Sequence, residues 1–184
     1  VEKINTRYFN YLYGIYRNRL PSSIKNKIYL IGLDTVEQDG YTLEYIPKEL
    51  RDYNMCMTAV NQNGNVLYLV PEELPEYTDI CIAAVIQDGY ALRFVPKELP
   101  EYKDICMAAV KQDGDALRFV PKELPEYADI CMAAVEQNGE AVRFVPEELP
   151  EYIDICIAAI NQDSFALHYV PDKLQLKIKQ ELGL

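Results

Sequence analysis

The chain has 184 residues, 49% of them hydrophobic and 26% charged, with a net charge of -11. That is enough apolar mass for one elongated domain and too little for several. The longest unbroken apolar run, Ile80 to Ile86, falls far short of the ~20 residues of a bilayer-crossing helix. The five cysteines do not form the dense framework of a small secreted protein, so a reducing, cytosolic compartment is expected.

Residues 2 to 19 place Ile4, Tyr8, Tyr11, Leu12, Ile15 and Tyr16 at helical spacing, and Ser23 is suited to cap a second helix from Ile24 to Glu37. Residues 1–35 are therefore expected to form an amino-terminal helical cap. Lys3, Arg7, Arg17, Arg19, Lys25 and Lys27 against Glu2 alone make residues 1–27 basic, at +5, and leave -16 for the rest. So acidic a body repels phosphate backbones and anionic headgroups, which disfavours nucleic-acid or membrane binding except through that leader.

From residue 36 the sequence repeats itself. Val-Pro recurs at 70–71, 95–96, 120–121, 145–146 and 170–171, a period of 25 residues. Four copies begin at Pro71, Pro96, Pro121 and Pro146, a fifth begins at Pro47 with one residue missing between Tyr53 and Cys56, and a degenerate half-copy runs from Val36 to Ile46. Degenerate ends are the usual capping behaviour of tandem arrays. In the copy that starts at Pro71, the residues Tyr77, Ile80, Cys81, Ala84 and Val85 fall at i, i+3, i+4, i+7 and i+8, which predicts a helix from Glu76 to Gln87. Pro75 suits its first position and Gly89 the left-handed residue just past its end, so Ser164, which replaces that glycine in the last copy, is expected to cost a little. Tyr90 to Val95 and Pro96 to Leu99 read as two short helical turns that need stacked neighbours to persist. The rival reading, a strand at Leu92 to Val95 in a leucine-rich horseshoe, lacks that family's signature. At the carboxy-terminal end Asp172 is suited to cap a closing helix bearing Leu174, Ile178 and Leu182 over residues 172–184. The fold class expected is all-α: an α-solenoid of tandem helical repeats over 36–171, capped at both ends.

The run Ala-Ala-Val-x-Gln-Asp-Gly-x-Ala-Leu-Arg-Phe-Val resembles a short helical repeat known as domain of unknown function 4116, and the likeness covers about residues 36 to 171. The resemblance implies a helical array and, since such repeats occur in effector proteins of Legionella-like intracellular bacteria, a bacterial protein delivered into a host cell. It names no activity, and the Glu-Leu-Pro-Glu-Tyr linker departs from a plain match.

Several residue ladders invite chemistry. Cys56, Cys81, Cys106, Cys131 and Cys156 put one thiol in each copy, but stacked helices lie ~8–10 Å apart, whereas a disulfide wants Cα atoms within ~7 Å and zinc wants its ligands around one point. No metal and no cofactor is expected. His168, the only histidine, stands where other copies carry Arg93, Arg118 and Arg143, with no nucleophile elbow or phosphate loop beside it, so no catalytic residue is expected. Glu73, Glu76, Asp79 and their equivalents fall near helix starts, where negative charge offsets the helix dipole. The arginines are expected to pair with carboxylates of adjacent repeats, or else to grip a partner's anionic groups.

Comparison among copies marks the positions free to differ. Thr78, Lys103, Ala128 and Ile153 form one row, Ile82, Met107, Met132 and Ile157 a second, and Ile86, Lys111, Glu136 and Asn161 a third, all on a stripe turned away from Tyr77 and Cys81. Such a stripe is where a protein partner would dock, unless the second row packs between helices. Tyr90 and Phe165, against Asp115 and Glu140 in the middle copies, show the same apolar bias. The function expected is a protein-protein interaction scaffold. The alternative is an enzyme or small-molecule binder with a pocket on a concave face or near Tyr8, Tyr11, Tyr13 and Tyr16.

Overall fold

A computed structural model describes residues 18–183. They form seven α-helices: α1 Ser22–Gln38, α2 Tyr53–Gln62, α3 Tyr77–Gln87, α4 Tyr102–Gln112, α5 Tyr127–Gln137, α6 Tyr152–Gln162 and α7 Asp172–Leu182. Between them run 3₁₀ helices: η1 Gly40–Tyr45, η2 Lys48–Leu50, η3 Gly64–Leu69, η4 Gly89–Phe94, η5 Gly114–Phe119, η6 Gly139–Phe144 and η7 Ser164–Tyr169. No strand occurs among the described residues, so the leucine-rich alternative falls and the fold is an all-α solenoid of 25-residue repeats, each an α-helix followed by a 3₁₀ helix. The chain resolves into two compact units, one ending at Gln87 and the other beginning at Asp88. The helix expected over residues 2–19 lies largely outside the described residues.

In the second unit α4 packs on α5 and α5 on α6, while η4, η5, η6 and η7 stack in the same order. The spacing that predicted the helix also fills the core: Tyr102, Ile105, Cys106, Ala109 and Val110 are buried, as are their equivalents on α5 and α6. Ala116, Leu117 and Val120 close the layer from the 3₁₀ side. In the first unit α2 packs on α3 and α1 on α2. The half-copy at Val36–Ile46 is more than a half: α1 supplies its helix and buried Val36 its core residue, with η1 following as in every other copy.

The Gln-Asp/Asn-Gly corner between the two helices works differently from the sequence expectation. Gly89 is not left-handed, and among the described residues only Gly183 has a positive φ. The turn is made one residue earlier, where Asp88, Asp113, Asn138 and Asp163 lie near φ -145 to -149. There the backbone N–H of Asp113 donates to Ala109 O at 2.9 Å, and its Oδ1 accepts the Asp115 N–H at 2.9 Å. An Asp or Asn side chain thus ends one helix and caps the next.

The glycine is required for another reason. A Cβ on Gly89, Gly114 or Gly139 would lie 2.5–2.7 Å from the carbonyl oxygen of Ala109, Ala134 or Ala159, one repeat further on. The backbone of one copy lies directly against that of the next, and only glycine permits it. Into the same junction each next repeat extends a glutamine: Gln112, Gln137 and Gln162 accept the N–H of Gly89, Gly114 and Gly139 at 2.7–2.8 Å. In the first unit Gln87 accepts the Gly64 N–H at 2.6 Å, beside Ala84 O. Ser164 therefore carries no penalty from positive φ; it is exposed, and the helix after it, α7, lacks the glutamine and alanine of the repeat. There Gln175 Nε2 instead donates to Val170 O at 2.9 Å and to Leu167 O at 3.4 Å.

Three smaller expectations are corrected. Pro75 lies in the turn ahead of α3, where the Tyr77 N–H donates to Leu74 O at 3.1 Å. Neither Ser23 nor Asp172 is a cap: α1 and α7 start after Pro21 and Pro171, whose carbonyls accept the first helical N–H groups, because proline holds a suitable φ and loses no donor there. The copy with the missing residue starts α2 at Tyr53 with a true N-cap, Asp52, whose Oδ1 accepts the Met55 N–H at 3.0 Å.

Adding a methyl group at the repeat junction should be costly. Gly114→Ala is expected to destabilise the chain by about 1–3 kcal/mol through overpacking against Ala134 O, whereas Ser164→Gly should change stability by less than about 0.5 kcal/mol. Urea unfolding followed by circular dichroism measures both.

Candidate functional site

The 3₁₀ helices present an outer face built from three positions of each copy. On η4 these are Tyr90, Arg93 and Phe94, on η5 Asp115, Arg118 and Phe119, on η6 Glu140, Arg143 and Phe144, and on η7 Phe165, His168 and Tyr169. In η4, η5 and η6 the third and fourth residues, such as Ala116 and Leu117, are buried, while the fifth is exposed and the second and sixth are half-buried. Of the residues expected to meet a partner, Tyr90, Arg93, Arg118, Arg143, Phe165 and His168 all belong to this row.

Guanidinium groups and rings alternate along it. Arg118 lies 5.3 Å from the Tyr90 ring centroid and 4.8 Å from that of Phe144. Arg143 lies 4.8 Å from Phe144 and 5.7 Å from Tyr169, and Arg93 4.6 Å from Phe94. Tyr90 meets Phe119 edge to face at 5.6 Å, and His168 lies against Phe165 at 4.4 Å with its Nδ1 3.0 Å from Phe165 O. Stacking of a guanidinium on a ring leaves its in-plane N–H donors available for carboxylates.

Those donors are used within the array. Asp115, 15% exposed, is paired with Arg118 at 3.2 Å and with Arg143 of the following copy, and it also accepts from Asn138 Nδ2 at 3.3 Å. Glu140 Oε2 accepts from Arg143 Nη1 and from the Tyr169 hydroxyl, both at 3.1 Å. Burial works to lower the Arg143 pKa, but Asp115 and the Tyr169 hydroxyl outweigh it and hold the charge above its ordinary value. The expected pairing of arginines with carboxylates thus occurs both within a copy and between copies.

The stripe on the α-helices divides. Ile82, Met107, Met132 and Ile157 are half-buried, as is Ile153, so they do not form a fully outward surface. Ile86 is 60% exposed, and Phe165 is 50% exposed. Lys103 is tied to Glu126 of the next copy at 3.2 Å.

Three exposed aromatic residues were not singled out by the sequence pattern: Tyr41 and Tyr45 on η1 and Tyr68 on η3, exposed by 48%, 50% and 53%. The missing residue after Tyr53 puts Tyr41 and Tyr45 one residue out of register with the later copies, whereas Tyr68 falls in register at the position of Arg93. Once η1 is aligned on η4, Tyr41, Glu44 and Tyr45 fall at the positions of Tyr90, Arg93 and Phe94.

Two open depressions of about 420 and 360 Å³ share Lys48, Arg51 and Glu73 in the first unit. Arg51 is held there by backbone, donating to Leu69 O at 2.7 Å, Ile46 O at 2.9 Å and Glu44 O at 3.4 Å, and burial lowers its pKa. Lys48 pairs with Glu73 at 3.0 Å. The cluster Tyr8, Tyr11, Tyr13 and Tyr16, expected beside a pocket, lies outside the described residues. No group of three or more His, Cys, Asp or Glu residues placed to hold a metal occurs among the described residues.

The architecture is that of a tandem helical-repeat protein. The family described as Domain of unknown function (DUF4116) matches residues 33–75, 78–124 and 128–175, and the chain belongs to that family. Each match spans nearly two of the 25-residue copies. No curated protein and no solved structure matches the chain. No helix among the described residues is long and apolar enough to cross a membrane.

The cysteine ladder is buried. Burial pushes Cys56 and Cys81 up to about 12 and Cys106, Cys131 and Cys156 to about 11, although a hydrogen bond with the nearby tyrosine pulls the last four partly back. Native thiols are therefore expected to resist an aromatic disulfide reagent at pH 8 and to react fully after unfolding. A thiol that keeps its proton longer in the folded chain makes stability fall once pH passes the unfolded value near 8.5, by up to about 1.4 kcal/mol per pH unit per thiol. Unfolding midpoints measured from pH 7 to 10.5 check this; constant midpoints would contradict it.

Proposed function

We propose that the chain is a protein-protein interaction scaffold without catalytic activity, and that it recognises a protein partner through the outward residues that differ between copies. The observation that carries this reading is the contrast between the rows of each repeat. The inward row Tyr-x-x-Ile-Cys-x-x-Ala recurs in the helices α3 to α6, while the outward second position of the 3₁₀ helices runs Tyr90, Asp115, Glu140, Phe165. Stacking fixes the first set; the second accepts Asp115 and Glu140 in the middle copies, so the fold does not require the apolar Tyr90 and Phe165 at its ends, although each rests on rings of its own row. Ile86 and Phe165 are exposed and Tyr90 half-buried, and large exposed apolar groups are characteristic of contact surfaces. The habitat implied by the family resemblance, a bacterial effector or a region of one acting in a host cell's cytosol on a host protein, is part of the proposal.

Copies within the chain supply substitutions that the fold already accepts. Ile86→Glu, Tyr90→Asp and Phe165→Glu install residues found at the same positions of neighbouring copies, Glu136, Asp115 and Glu140. The triple variant is expected to keep its helical circular dichroism and to lose the partner that the unaltered chain captures from a eukaryotic lysate. Capture of the same proteins by both chains, or of none by either, would contradict the reading.

A further inference from the structure

The first described helix differs from the rest of the array in what covers it. Each of the helices α2 to α6 packs on the 3₁₀ helix that precedes it: α2 on η1 and α3 on η3 in the first unit, α4 on η4, α5 on η5 and α6 on η6 in the second. Seven residues before the glutamine of the Gln-Asp/Asn-Gly corner these helices carry Met55, Ile80, Ile105, Ile130 and Ile155, all 0% exposed. The same position of α1, counted back from Gln38, is Ile31, and it is 66% exposed. Counted from the proline, α1 resembles α7, since both start directly after one. Leu174 and Ile178, three and seven residues past Pro171, are half-buried and buried, whereas Ile24, three past Pro21, is 43% exposed and Ile28 is half-buried. Ile24, Ile28 and Ile31 fall at i, i+4 and i+7, one face of the helix, at positions that the array elsewhere covers with a preceding copy.

The chain just ahead of α1 has the spacing of such a copy. A proline follows seven residues after the glycine that opens each of η1, η3, η4, η5 and η6, and Gly14 stands seven residues before Pro21. Leu20 takes the place of Val95 ahead of the proline and is half-buried, and Asn18, in the place of Arg93, is exposed as Arg93 is. On α1 itself, Thr35 O accepts the Asp39 N–H at 3.0 Å, as Ala109 O accepts that of Asp113. Thr35 and Gln38 therefore hold the positions of the alanine and glutamine that meet Gly64, Gly89, Gly114 and Gly139 at the later junctions.

We propose that residues 14–20 are a further, divergent copy of the 3₁₀ segment, which docks on Ile24, Ile28 and Ile31 and sets Gly14 against Thr35 O. The segment joins α1 at Pro21 with no linker between, so it reaches this face as the 3₁₀ helix of every other copy reaches the helix after it. Burial of Ile31 supplies the apolar contact that the equivalent isoleucines make, and the absence of a Cβ on Gly14 allows the backbones to meet. The outer row gains a member at its start, with Ile15, Asn18 and Arg19 at the positions of Tyr90, Arg93 and Phe94. The inference goes beyond the scaffold reading and stands whether or not a partner docks on the row.

Thiol accessibility on the full chain tests the assignment, because the five native cysteines are buried and give a low background. Ile31→Cys, Ile24→Cys and Leu30→Cys are each treated with an aromatic disulfide reagent at pH 8, once circular dichroism shows that helicity is kept. Leu30 is 61% exposed and shares its position with Asp79 and Asp104, which are exposed within the array, so its thiol is the open reference. The thiols at 31 and 24 are expected to react at least about tenfold more slowly than that at 30, since reaction waits for the segment to lift away. Adding Gly14→Val, whose side chain would meet Thr35 O, is expected to raise both to the rate at 30. Equal rates at 30, 31 and 24 with Gly14 in place would overturn the proposal. Protection that grows with protein concentration would do the same by placing a second copy on the face, as would protection that Gly14→Val leaves intact, which would place some other segment there. Should Ile31→Cys fail to fold, Ile24→Cys carries the same comparison.

Discussion

Where Gly89, Gly114 and Gly139 open their 3₁₀ helices, the backbone of one repeat meets the alanine carbonyl of the next at a separation that excludes any side chain. The same glycine N–H is held by the glutamine of the next helix. Much of the remaining architecture depends on this junction. Close backbone contact fixes the spacing of the copies, and fixed spacing puts Arg118 within reach of Phe144 and Arg143 within reach of Asp115. Because 3₁₀ helices of six residues are unstable alone, the outer row exists only where a neighbour supports it. The motif Gln-Asp/Asn-Gly is thus a set of three separate tasks: bridging to the previous copy, capping the turn, and leaving room.

A surface built on such a junction can vary without cost to the fold. The inward residues are bound by close packing, whereas the second, fifth and sixth residues of η4, η5 and η6 are half-buried or exposed. Asp115 is satisfied by two arginines and Asn138. The ends of that row carry Tyr90 and Phe165, and the first unit carries tyrosines with Glu44 among them.

Much of the fold was legible in the sequence because a 25-residue period and the i, i+3, i+4, i+7, i+8 spacing of Tyr77 to Val85 admit few other structures. The 3₁₀ form of Gly89–Phe94 was less so: short helical turns of either kind share the same residue preferences, and hydrogen-bond register decides between them. Gly89 was misassigned for a physical reason. A glycine after a helix most often supplies a left-handed residue, and close approach between copies cannot be seen from one copy alone. Of the candidate surface, Ile86, Tyr90 and Phe165 were visible as apolar exceptions among otherwise polar positions. Ile82, Met107, Met132 and Ile157 were not separable from core by pattern, and half-burial is their actual state. Tyr41 and Tyr45 lie one residue out of register with the later copies because of the missing residue after Tyr53, whereas Tyr68 lies in register with Arg93 and its exposure is not visible in the pattern.

The claim that the copies are locked together at the glycine is tested most directly by native-state hydrogen exchange at the Gly114 amide. A hydrogen bond to Gln137 Oε1 at 2.7 Å within a buried backbone junction predicts exchange as slow as that of the core helix amide of Cys106, through opening of whole repeats rather than of a loop. Exchange at the rate of an exposed turn would show that the junction is not what holds one repeat to the next.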